Sequence, residues 1–339
     1  MRSRFHFRRA TGALAVASLG LALSGCWAGE ESAEASGEGE TVTFTADNGE
    51  VEIPADPERV VATGYAVPVL LEVDAPLVGI SEWGRGTALM TEDDLATYEE
   101  TEKIMGETAD SINYDAVEKV DPDLIILGVP LPVLGDVNME RLEAVAPVVV
   151  LGPNRPDDWK ELGARQAEAA GATESYEENK ADYEERVDEL ETKYADVLDG
   201  LDFGHVGAYG DITAGEFHRE FAGSWGTNIA GDIGVEYYGE VQDPSDGGSA
   251  EVSEYSSIEQ LPESLGDADV ITYTLATDGS VPEPVQYVLD SPLWKNLPAV
   301  KSGDVIGLRY TEAATYQSAL QTLDAIDEAF GEAFAEDLS

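Results

Sequence analysis

Short apolar runs at Arg59 to Ala62, Pro76 to Ile80, Pro122 to Gly128 and Pro147 to Gly152 are separated by helix-like segments such as Tyr114 to Val120 and Met139 to Val145. This alternation constrains the chain more than any other feature, because it predicts a parallel sheet covered by helices on both faces. The pattern returns after Gly200, with strand-like runs at His205 to Tyr209, Asp269 to Leu275 and Val305 to Tyr310 and helix-like runs at Thr227 to Ile233, Ile258 to Ser264 and Thr315 to Phe334. Between the two sets the composition shifts to Ala, Glu, Lys and Tyr. Ser175 and Glu178 have the spacing of a capping box, Tyr183, Val187, Leu190, Tyr194 and Val197 form one helical stripe, and Gly200 supplies a stop. The spacing predicts a helix over 173–200, about 37 Å long. The architecture expected is two α/β lobes, 42–172 and 201–339, joined by that single helix.

The first residues read differently. Arg2, Arg4, Arg8 and Arg9 precede a small, apolar stretch from Thr11 to Leu23 that ends in Leu23-Ser24-Gly25-Cys26. This is the layout of a signal peptide over 1–25, too short and wrongly flanked for a spanning helix. Leu-Ser-Gly-Cys resembles a bacterial lipobox, which makes Cys26 the expected lipidation site and places the protein on the outer face of the cytoplasmic membrane. From 26 to 41 the chain is Glu, Ser, Ala and Gly with few large apolar residues, a flexible tether. Thr41 to Ile53 then alternates apolar and polar around Asp47-Asn48-Gly49, which predicts a hairpin.

The chain holds 69 acidic and 19 basic residues, a net charge of −50. Such a field repels nucleic acid and anionic lipid. It fits life in high salt better than general solubility, since screening there removes most of the self-repulsion. Cys26 is the only cysteine, so no disulfide framework or thiolate metal site is available. Past residue 26 the histidines are His205 and His218, with no spacing typical of a metal site. There is no Gly-x-Ser-x-Gly elbow, phosphate loop or His-Glu-x-x-His, and so no motif of an enzyme.

Pro57-Glu58-Arg59-Val60-Val61-Ala62, Asn113-Tyr114-Asp115-Ala116-Val117 and Pro122-Asp123-Leu124-Ile125-Ile126, followed far downstream by Pro292 to Lys301 with Gly303-Asp304-Val305, form an ordered set of segments. Together they resemble the family of periplasmic siderophore, haem and cobalamin binding proteins, the first three being similar to its N-terminal lobe and the last to its C-terminal lobe. The resemblance implies two Rossmann-like lobes with a ligand cleft between them, a ferric siderophore as ligand, and delivery to an ABC transporter permease. It implies no cofactor, iron entering only as part of the chelate, and a monomer. It also implies that Asp115 and Glu259, one on each lobe, dock on the permease. Cobalamin or haem are the alternatives within the family, and the pair Tyr237-Tyr238 leaves a bare ferric ion as a third.

In open α/β sheets ligands bind beyond the carboxyl ends of the strands. Those ends give Tyr65, Trp83, Arg85, Asn154 and Arg155 in the first lobe, and Tyr209, Arg219, Trp225, Tyr273, Arg309 and Tyr310 in the second. Aromatics suit the apolar flanks of a chelate, and arginines suit its oxygens.

Overall fold

The computed structural model describes residues 40–242 and 248–338, so Cys26, the signal segment and most of the tether lie outside the described residues. The chain enters through the expected hairpin, β1 (Thr41–Ala46) and β2 (Gly49–Pro54). Phe44 pairs with Val51 and Val42 with Ile53, which puts the apolar residues on one face, where Phe44, Ala46 and Ile53 are buried. Gly49 has φ +112, a turn conformation that favours glycine.

The first sheet comprises β3 (Val60–Gly64), β4 (Leu77–Ser81), β5 (Lys103–Met105), β6 (Leu124–Gly128) and β7 (Val148–Val150), all parallel, in the order β5-β4-β3-β6-β7. Its central strands read as unbroken apolar runs because helices cover both faces. The free edge of β7 is closed by the hairpin loop. Asn48 Nδ2 donates to the Val148 carbonyl at 3.0 Å, and its Oδ1 accepts from the Val150 amide at 2.9 Å. One side-chain amide thus does the work of one more strand residue at an edge that would otherwise be open. β5 was not legible in the sequence, since three residues at an edge are too few to show a pattern.

The long helix runs over Thr173–Leu198 and buries Tyr176, Tyr183, Leu190, Tyr194 and Leu198. It starts at the expected residue, but its cap differs from expectation. The N-cap is Ala172, with no side-chain cap, and Ser175 lies within the first turn. Here a close-packed turn from the preceding helix (Trp159–Ala169), with Gly171 at φ +72, fixes the entry instead of a capping hydroxyl. Gly200 at φ +77 follows the helix end, as its position predicted.

The second sheet holds β8 (Phe203–Val206), β9 (Glu216–Glu220), β10 (Ser253–Ser257), β11 (Val270–Thr274) and β12 (Val305–Leu308), in the order β10-β9-β8-β11-β12. β8, β11 and β12 are parallel, while β9 runs antiparallel to both its neighbours. The sheet is therefore mixed where an all-parallel one was expected. Sequence reasoning missed β9 and β10 because Glu-Phe-His-Arg-Glu and Ser-Glu-Tyr-Ser-Ser lack an apolar run, yet four of the five β9 residues are buried.

One apolar cluster spans both sheets. It joins one face of the first sheet through Val60 and Ala62, one face of the second through Phe203 and Ile306, and between them the long helix and the C-terminal helix (Tyr316–Ala333). Tyr316 is the joint: its ring lies 5.1 Å from Trp159, 5.1 Å from Tyr176 and 5.3 Å from Tyr183. Interlocked aromatic rings of this kind resist relative movement of the elements that carry them.

Candidate ligand-binding cleft

The strand order of the first sheet reverses between β3 and β6, and the chain turns sharply where they end. Gly64 (φ +55) is required there, since a Cβ would stand 2.3 Å from the Gly128 carbonyl oxygen. The next residue, Tyr65, donates its amide to that same oxygen at 2.8 Å, which aims its ring away from the sheet. Beyond β4, the Trp83 amide is held by the Tyr98 hydroxyl at 2.8 Å. Trp83 meets Tyr65 edge-on at 5.0 Å, and the Arg85 guanidinium lies 4.1 Å from the Trp83 ring and 4.7 Å from the Tyr65 ring. This stacking holds an exposed cation in place, with no acid paired to it among the described residues.

The opposite wall comes from the second sheet. His218 on β9 stacks on Tyr255 of β10 at 4.8 Å, and Tyr209, just past β8, meets His218 edge-on at 5.7 Å. Trp225 lies 6.0 Å from Tyr65 with the rings nearly parallel, so aromatic faces from the two sheets meet across the cleft. The Tyr209 hydroxyl donates to Glu312, in the segment after β12. Together these residues line a cavity of about 240 Å³ whose floor is the start of the C-terminal helix, at Thr315, Gln317 and Ser318.

Acids also face this space. Glu72 accepts from the Gln317 amide at 3.1 Å and from Asn179 Nδ2 at 3.2 Å, so it caps the C-terminal helix from the other sheet's side. Burial pushes its pKa up to about 7, outweighing the hydrogen bonds from Thr315 and Gln317 that favour the charge. Burial likewise raises Asp94. It lowers His218.

The periplasmic binding protein family model matches residues 60–200 of this sequence. The solved siderophore periplasmic binding protein from the fuscachelin gene cluster of Thermobifida fusca is 31% identical. The match covers 81% of this chain and 97% of that one, with a TM-score of 0.64. The chain belongs to the periplasmic binding protein family. Among curated relatives, the iron(3+)-hydroxamate-binding protein YxeB of Bacillus subtilis is 26% identical over 82% of this chain and 80% of its own length. The probable siderophore-binding lipoprotein YfiY of the same organism is 27% identical over 84% and 85%.

In this periplasmic binding protein, Tyr65, Trp83, Arg85, Tyr209 and Trp225 converge on the cavity. The other residues expected at a cleft do not line it. Arg219 is the clearest case. It is wholly buried within β9, where its guanidinium donates to the carbonyls of His205 at 3.2 Å, Glu220 at 2.5 Å and Tyr238 at 3.0 Å. Arg155 is held by Asp157 at 3.0 and 3.1 Å, beside an exposed Asn154. Arg309 pairs with Glu328 of the C-terminal helix at 2.7 Å. Tyr273 packs against the outer-face core of the second sheet. Tyr310 adopts φ +61, unusual for an aromatic residue, and its carbonyl accepts from Thr322 Oγ1 at 2.6 Å. It bends the chain after β12 so that Glu312 and Thr315 reach the cavity.

Tyr237 and Tyr238 also sit elsewhere, with hydroxyls bonded to Thr272 at 3.2 Å and the Ser264 carbonyl at 2.7 Å. Asp115 and Glu259 are exposed. Asp115 pairs with Arg141 at 2.9 Å in a helix capped by Asn113, and Glu259 sits in a one-turn helix capped by Ser257.

Sequence reasoning missed Glu72, Asp94, His218, Tyr255 and Glu312 as lining residues. His218 and Tyr255 were hidden with the polar strands that carry them. Glu72 did leave a signal: an acid interrupting Val69-Leu70-Leu71 and Val73 stands in an apolar run where a carboxylate needs a partner.

Proposed function

We propose that this protein captures a ferric siderophore outside the cytoplasmic membrane and delivers it to an ABC importer. The observation that carries the reading is the cleft itself. Aromatic faces from two sheets and one stacked arginine, without an ion-pair partner among the described residues, form a surface suited to an apolar chelate rim and to chelate oxygens. Relatives whose names specify siderophores or ferric hydroxamates support it. In this reading Tyr65, Trp83, Trp225 and Tyr209 flank the chelate and Arg85 donates to its oxygens. A chelate larger than the cavity of about 240 Å³ sits with part of its surface outside or parts the walls slightly. The protein acts by binding, without catalysis, and as a monomer. Cys26 is acylated and anchors it, while Asp115 and Glu259 are offered to the permease. Among the described residues no helix is long and apolar enough to cross a membrane.

Trp83 and Trp225 provide the test. Titration with a ferric siderophore should quench tryptophan emission saturably at one equivalent, whereas ferric salt, haem and cobalamin should not. Tight binding of ferric salt, haem or cobalamin in place of the chelate would replace this reading with one of those ligands.

A further inference from the structure

The charges in the cleft are unbalanced. Among the described residues that line it, Arg85 is the only arginine or lysine, whereas Glu72, Asp94 and Glu312 all line the same cavity. None of these three carboxylates forms an ion pair among the described residues. The ion pairs that do form, such as Arg309 with Glu328, Arg155 with Asp157 and Arg186 with Asp327, involve other acids. The largest of the remaining lining side chains are aromatic. Tyr65, Trp83, Trp225, Tyr209 and Tyr255 present ring faces or edges to the space, and ring faces attract cations, as Arg85 on Trp83 and Tyr65 already demonstrates. Acids with no ion-pair partner among the described residues and aromatic faces are two independent features that favour the same sign of ligand charge. A trianionic chelate entering this space would meet one arginine and up to three carboxylates.

Resting on the siderophore reading above, we infer that the cleft selects its chelate by charge. It takes a ferric complex that is neutral at the iron, as a trihydroxamate is, and that carries a free ammonium group, and it rejects the trianionic ferric catecholates. Arg85 addresses the oxygens around the iron, and the ammonium pairs with Asp94 and Glu312. Both are better exposed than buried Glu72, and each accepts from a single side-chain hydroxyl, Asp94 from Thr91 and Glu312 from Tyr209, which leaves oxygen lone pairs for an ammonium.

Three iron-loaded probes test this on the wild-type protein: a linear trihydroxamate with a terminal amine, the same molecule N-acetylated, and a tricatecholate. The amine form should bind about tenfold tighter than the acetylated form, with the catecholate weaker than either. The preference should persist in 1 M salt, because screening over about 3 Å removes the field of the whole chain but leaves contact pairs. In Asp94→Asn/Glu312→Gln, folded by its melting curve, the ratio of amine to acetylated affinity should fall to near one.

Equal affinity for the amine and acetylated forms, or tight catecholate binding, would overturn the charge selection while leaving siderophore capture intact. Loss of the preference in 1 M salt would assign it to the chain's overall charge and overturn the role of the cleft. Binding of none of the three probes would sink the siderophore reading and this inference with it.

Discussion

The carboxylate of Glu72, at the end of the helix that follows β3, accepts a hydrogen bond from the backbone amide of Gln317, in the first turn of the C-terminal helix that follows β12. A single buried acid thus connects the two sheets beneath the cleft. The amide it takes is one that the helix itself leaves without a partner.

This bond predicts a pH dependence. The Glu72 pKa is raised by burial from 4.5 to about 7 in the folded protein. A raised carboxyl keeps its proton when folded while the unfolded chain loses it, so its contribution to stability falls as pH rises from about 4.5 to about 7. The full change is on the order of 3 kcal/mol. Glu72→Gln should remove that slope, so that the variant gains on the wild type in urea melts as pH is raised from 5 to 8. Parallel profiles would show that Glu72 is not the titrating group.

Asn48 should stabilise the fold out of proportion to its place in a loop. Asn48→Ala leaves the Val148 carbonyl and the Val150 amide without partners at the sheet edge. The expected loss is about 1–3 kcal/mol, read from the midpoint of denaturant unfolding. Asn48→Asp keeps the acceptor and should lose less at low pH, where a protonated carboxyl can also donate.

The two arginines Arg85 and Arg309 should behave oppositely. Arg85 lies in the cleft with no acid partner among the described residues, so Arg85→Ala should weaken ferric chelate binding about 10- to 150-fold with little change in melting temperature. Arg309 pairs with the exposed Glu328 outside the cavity, and Arg309→Ala should leave affinity unchanged. Calorimetric titration of both variants decides. A large affinity loss in the Arg309 variant alone would place the chelate elsewhere.

Capture and delivery should separate at the exposed acids. Asp115→Ala with Glu259→Ala should bind chelate like the wild type but support much less uptake in cells, because the permease loses a charge contact on each half. Normal uptake by the folded double variant would exclude both acids as docking residues.

The sequence by itself determined the elements whose burial is one-sided or complete. β3, β6 and β7 are continuous apolar runs because both of their faces are covered, and the long helix shows its stripe because only one face is buried. The same logic, strand ends in an open sheet, located Tyr65, Trp83, Arg85, Tyr209 and Trp225. What the tertiary structure decided is the fate of polar residues, since a polar side chain carries no periodic signature of where its partner will be. Arg219 and Arg85 looked alike in the sequence. One became a buried donor to three carbonyls because β9 runs antiparallel into the sheet, and the other was left free on two aromatic rings. Glu72, Asp94 and Glu312, distant along the chain, came to share one cavity only when two sheets and the C-terminal helix closed around it. Apolar burial is written in local spacing, whereas electrostatic pairing depends on contacts between residues far apart in sequence, and those exist only in the folded chain.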